Sequence, residues 1–162
     1  MNIRNAIKED VPGILDILNE AIANTTAVYD YHPRTLEMQE EWFVKKQEAG
    51  MPVLVVTEGE KVIGFGSYGI FRPWEGFKYS AEHSIYIDSE YRGKGLGKRM
   101  LIELMQLAKE NGMHCMIAGI DSENTGSIEL HKKFGFKEVG RFKEVGYKFD
   151  RWLDAVFMQL IF

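Results

Sequence analysis

Cysteine occurs once in the 162 residues, at Cys115, which excludes an internal disulfide and a cysteine-rich metal site. His32, His83 and His114 lack metal-ligand spacing, so no metal is expected. No apolar stretch approaches the roughly 20 residues needed to cross a bilayer. The opening MNIRNAIKED has no apolar signal region, which makes a reducing cytoplasm the expected compartment. Neither sign of charge dominates: 20 basic against 24 acidic residues give a net charge of -4. That balance disfavours broad electrostatic binding to nucleic acid or an anionic membrane. Internal repeats and low-complexity segments are absent too.

What is present suits one compact domain spanning 1–162, with 45% hydrophobic residues to fill a core. Residues 2–6 predict a short strand. Asp10 is a candidate N-cap for a helix that buries Val11, Ile14, Leu15, Leu18 and Ile22, with Pro12 in its first turn. Thr35 opens a second helix ending at Gly50. PVLVVTE and KVIGFGSYGIF form a hairpin around Gly59 and Glu60, and residues 79–88 form a third long strand. Leu96, Met100, Leu104 and Leu107 recur at helical spacing in the next helix, which Gly112 terminates. CMIAGI reads as a buried strand and SENTGSIELHKKFG as a short helix, and the apolar stretches 136–147 and 153–161 close the chain as strands. The order is βααβββαβαββ.

The turn SEYRGKGLG, between the third long strand and its helix, carries the chemistry. Gly93, Gly95 and Gly97 let its backbone approach another molecule, while Arg92, Lys94, Lys98 and Arg99 surround it with positive charge. Unpaired N–H groups at a helix start favour anions, so the amides of Gly93, Lys94, Gly95, Leu96, Gly97 and Lys98 form a candidate diphosphate cradle. A P-loop does not fit: Arg92 stands where it needs a glycine, and Arg99 where it needs Ser or Thr. The dinucleotide fingerprint fails as well, because Lys98 occupies its last glycine position. The plainer alternative is a glycine-rich turn with solvated charges.

RGKGLG matches the pattern Arg/Gln-x-x-Gly-x-Gly/Ala and resembles the coenzyme A loop of the GNAT superfamily of N-acetyltransferases. DSENTGSIELHKKFGFKEVG is similar to that superfamily's second signature. With EHSIYID and the ending GYKFDRWLDAVFMQL, the chain resembles the phosphinothricin and methionine sulfoximine acetyltransferase branch. The resemblance implies an α/β (α+β) GNAT fold, a central mixed, mostly antiparallel twisted sheet of about seven strands flanked by about four helices. It implies acetyl-CoA as co-substrate, a small amino-acid-like amine as acceptor, direct transfer through a tetrahedral intermediate, and a homodimer. Asn124 is implied to bond the coenzyme, its plainer role being a helix cap. Main-chain groups near Ile85, Tyr86 and Ile87 are implied to pair with pantetheine where the strand splays from its neighbour.

The reaction needs a base for the amine and a proton for the departing thiolate. Glu82 matches the branch's acidic position and is the candidate base; alternation puts it on the face of Ser84 and Tyr86, opposite His83, Ile85 and Ile87. His131 stands where many members of the superfamily carry tyrosine. It is the candidate acid, or a helper of the base, against the alternative of a packed histidine. Arg72, Pro73 and Trp74 lie in the loop FRPWEGF. They match positions of substrate contact in the branch, Arg72 suiting an oxyanion, against the alternative of a surface turn. Cys115 reads as a packed thiol rather than a nucleophile. Two other readings stay open: a noncatalytic CoA-binding regulatory module, and an N-acetyltransferase for polyamines, aminoglycosides or protein N-termini.

Overall fold

The computed structural model describes residues 1–162. Its elements are β1 (Asn2–Asn5), α1 (Val11–Asn24), α2 (Leu36–Glu48), β2 (Val53–Glu58), β3 (Lys61–Ile70), β4 (Ser80–Ile87), α3 (Leu96–Glu110), β5 (Cys115–Asp121), α4 (Thr125–Lys133), β6 (Lys137–Lys148) and β7 (Arg151–Ile161). The expected order is the observed one. The seven strands form one sheet in the order β1-β2-β3-β4-β5-β7-β6. Only β4 and β5 run parallel, because the chain between them crosses over through α3.

Period-two alternation divides the core into two layers. Val53, Val55 and Phe65 face α1 and α2, packing on Val11, Ile14 and Phe43. Leu54, Val56 and Met116 face α3 and α4, packing on Met100, Leu104 and Ile128. Each such burial contributes about 1.5–3 kcal/mol, so both faces hold the helices firmly. Helix ends follow local chemistry. Thr35 Oγ1 accepts from the Met38 amide at 3.2 Å. Past α3, the Gly112 amide bonds Lys109 O at 3.1 Å and the Met113 amide bonds Ala108 O at 2.9 Å, the two bonds of a Schellman stop.

Two details of α1 differ from expectation. Asp10 precedes the helix without capping it: its carboxylate turns back to Arg4, at 2.6 and 2.9 Å, and accepts the Ile7 amide at 2.8 Å. A full guanidinium bonds a carboxylate more strongly than helix amides do. Ile17 is buried, whereas Leu15 is only half-buried, since the stripe facing the sheet runs one position round from the one first read.

The feature that creates a site lies between the parallel strands. Pairing of β4 with β5 runs from Ser80↔Cys115 to Glu82↔Ile117 and then ends. Beyond Glu82, β4 stays paired with β3 as far as Ile87 while its other edge is open.

Candidate active site

The open edge of β4 has a definite polarity. The Phe71 amide bonds Ser80 O at one end of the β3–β4 ladder, and the Asp88 amide bonds Ile63 O just past the other. With no slip of register between them, residues 82, 84 and 86 bond β3, and the main-chain groups of Ile85 and Ile87 face the gap. Tyr86 departs from expectation here: its main chain faces Phe65 on β3, so only its side chain borders the cavity. The Ile87 carbonyl already accepts Arg92 Nε at 3.0 Å.

Beyond β4, a single helical turn, Ser89–Tyr91, is pinned by Asp88, whose side chain accepts the Glu90 amide at 3.0 Å. Gly93 and Gly95 then take φ values of 75° and 79°, which a side chain would strain. This backbone turns the amides of residues 93–98 outward, and no protein group accepts from any of them. Gly95 supplies no side-chain cap to α3, whose first turn carries no acid and includes Lys98 and Arg99. Exposed amides, the positive end of the helix dipole and these cations all favour an anion, which is the pattern the sequence led us to expect. Arg92 is tied down, bonding Glu20 at 2.8 Å in addition to Ile87 O, and the Lys94 ammonium rests over the Tyr91 ring at 4.6 Å. Leu96 is buried, so only its main chain faces outward.

Loop, gap and fork line one cavity of about 1020 Å³, which Glu82, Asn124 and His131 also border. Glu82 is half-buried beside Gly119 of β5; a Cβ on that glycine would lie 3.4 Å from Glu82 Oε1. Burial pushes the Glu82 carboxyl above its ordinary range, and the Arg72 charge partly offsets this. Asn124 does cap α4, its Oδ1 accepting the Ser127 amide at 3.1 Å, which leaves its amide NH₂ without a protein acceptor.

His131 is buried and engaged at both nitrogens. Nδ1 lies 2.7 Å from Ser127 O, which can only accept, so Nδ1 carries the proton. Nε2 therefore accepts, and its neighbour at 3.0 Å, His83 Nε2, donates. His83 Nδ1 is then the bare nitrogen, and it has no partner. Burial lowers the pKa of both rings, that of His83 to about 3, so the pair rests neutral.

Arg72, Pro73 and Trp74 are exposed and do not border the cavity. Arg72 stacks on Phe71 at 4.3 Å, and its connection to the site is its charge felt at Glu82. Thr25, Thr26 and Ala27 do border the cavity, tied down from β6 and β5. Lys148 Nζ donates to Ile22 O, Thr25 O and Val28 O at 2.7, 2.8 and 2.7 Å, and Thr26 Oγ1 bonds Asp121. Sequence reasoning also missed His83 and Lys46, both of which border the cavity. Alternation set His83 opposite Glu82, but only α4 packing brings His131 to it. Lys46 lies in α2, a largely polar helix in which nothing distinguishes it from Lys45 beside it.

Comparison with known proteins agrees with this geometry. Residues 14–136 match the model of the Acetyltransferase (GNAT) family. An L-methionine sulfoximine/L-methionine sulfone acetyltransferase of Pseudomonas aeruginosa is 45% identical over 160 residues, 98% of this chain and 93% of that protein. The crystal structure of an N-acetyltransferase from Staphylococcus aureus superposes with a TM-score of 0.97 at 48% identity, covering 99% of this chain and 97% of that one. A GNAT phosphinothricin acetyltransferase from Sinorhizobium meliloti, solved in complex with acetyl-CoA, gives a TM-score of 0.96 at 35% identity over 99% and 87% of the two chains. The bare helix start, the forked strands and these similarities converge: the chain belongs to the GNAT family of acetyltransferases.

Proposed function

We propose that this enzyme moves the acetyl group of acetyl-CoA directly onto the amine of a small amino-acid-like acceptor of the methionine sulfoximine or phosphinothricin type. The observation that carries this reading is the run of unpartnered amides from Gly93 to Lys98, opening into the same cavity as Glu82. Those amides hold the diphosphate, and Lys94 and Lys98 add charge. The edge of Ile85 and Ile87 pairs with pantetheine as an added strand would, and the free NH₂ of Asn124 supplies a further donor. An ammonium sheds two protons on becoming an amide. Glu82 takes the first, and the second reaches the departing thiolate through His131, which rests neutral and whose Nε2 must give up the His83 N–H to take up a proton before giving one.

The Arg72 charge near Glu82 supports a role for that loop in drawing an anionic acceptor, with Pro73 and Trp74 beside it. One continuous seven-stranded sheet supports reading residues 1–162 as one domain. A buried, unpaired Cys115 suits a reducing cytoplasm, and exposed aromatics on β6 and β7 suit a homodimer.

The test is Glu82→Gln. Turnover with methionine sulfoximine at neutral pH is expected to fall by about 10²–10⁴-fold while acetyl-CoA affinity stays within about twofold. The wild-type rate should climb with pH through the raised carboxyl pKa, and this limb should vanish in the variant. Unchanged turnover would remove Glu82 as the base, and activity confined to polyamines would overturn the acceptor class.

A further inference from the structure

We infer that Lys46 is a specificity-determining residue of the acceptor site, reading an oxyanion or strongly dipolar oxygen of the acceptor. The inference rests on the acetyl-transfer reading above. Lys46 reaches from α2 across β3 and borders the cavity. Its Nζ donates to Tyr68 O at 2.8 Å and lies over Gly69, where an added Cβ would sit 3.1 Å away. Gly69 is the cross-strand partner of Glu82. Directly opposed residues point to the same face of a sheet, so Lys46 reaches the face that carries Glu82 without forming an ion pair with it.

Two lysines in this protein show what the arrangement means. Lys148 gives all three N–H groups to carbonyls, as a structural clamp must. Lys46 gives one, forms no ion pair and lies 5.8 Å from the Trp42 ring centroid, leaving two donors without a protein acceptor at the cavity wall. A half-buried ammonium with unspent donors and no counterion is costly unless a ligand supplies the acceptor. Burial alone lowers its pKa to about 8, which agrees with the missing counterion. Glycine at 69 leaves the space above β3 to the ammonium and to whatever it binds. A sulfoximine, sulfone or phosphinate oxygen, or the acceptor's own α-carboxylate, has the matching chemistry.

The test compares kcat/KM for methionine sulfone, methionine and methionine sulfone carboxamide at saturating acetyl-CoA. Sulfone against methionine reads the side-chain oxygens, and acid against carboxamide reads the α-carboxylate. In Lys46→Met one of these ratios is expected to fall by about 10- to 100-fold, with acetyl-CoA affinity and thermal midpoint near wild type. Gly69→Ala, which crowds Nζ, should shift the same ratio. The wild-type ratio should shrink above about pH 8 and persist there in Lys46→Arg, a dependence that a merely structural tie to Tyr68 would not produce. Equal losses for all three acceptors in both variants would overturn the inference while leaving acetyl transfer intact. Wild type inactive on every amino-acid acceptor would overturn the acceptor class and this inference with it.

Discussion

Glu82 and His131 approach the fork from opposite faces of the sheet, and each is tuned by being taken out of water. For Glu82, burial favours the protonated carboxyl, so an ionised base costs stability above its pKa. Replacing it with glutamine should therefore leave the thermal midpoint at pH 7 equal to or above that of wild type, an advantage that disappears in acid. His83 works in the other direction. Its folded pKa of about 3 lies below the ordinary 6.5, so the unfolded chain binds a proton that the folded one refuses, and stability is lost as pH falls below 6.5. Two pH units lower, this amounts to about 2–3 kcal/mol. Urea unfolding of wild type and His83→Phe across pH 4.5–7.5 checks this. The variant should show a flatter profile, and parallel profiles would mean that His83 titrates normally.

The loop from Asp88 to Lys98 with α3 was legible because everything that shapes it is local: three glycines, adjacent cations and the helical spacing of Leu96, Met100 and Leu104. Alternation along β4 likewise placed Glu82 and His83 correctly, since it depends only on the pleat. Partners brought from elsewhere in the chain were not legible. Arg92 reads as a phosphate cation in isolation, but folding supplies Glu20 from α1 and the Ile87 carbonyl. Arg72 reads as a clamp facing the site, but the loop carrying it turns its side chain onto Phe71. Lys148 is one charged residue among several between the two closing strands until the end of α1 is placed against it. Lys148→Met should destabilise the fold by about 2–4 kcal/mol, because three carbonyls lose a charged donor. It should also raise KM for the amine more than KM for acetyl-CoA, since the loosened residues 25–27 border the cavity without belonging to the loop of residues 93–98 proposed to hold the coenzyme. Equal effects on both constants would show that the strap serves the fold alone.

At the scale of the whole molecule, the sheet is unequally covered across its width. α1, α2, α3 and α4 pack on its middle, whereas β6 is an edge strand whose pairing with β7 slips twice. Val139, Phe142, Val145, Tyr147, Phe149 and Trp152 on this hairpin are each at least 43% exposed. Tyr147 and Trp152 rings meet edge-on at 4.9 Å, and Phe142 meets Phe157 at 5.7 Å, so the apolar surface is ordered before any partner arrives. An exposed edge carrying this much apolar surface favours association, and a closed twofold pairing satisfies it without open-ended growth. A second copy covering the hairpin would need to bury about 800 Å² per partner to be stable. Light scattering after size exclusion should therefore report twice the 18.6 kDa chain mass. Phe142→Lys combined with Trp152→Glu should return the mass of one chain, because two charges buried without partners outweigh the apolar gain. Neither residue borders the cavity, so acetyl-CoA affinity should survive in that variant. A monomeric wild type, or a double variant that stays dimeric, would move the interface away from β6 and β7.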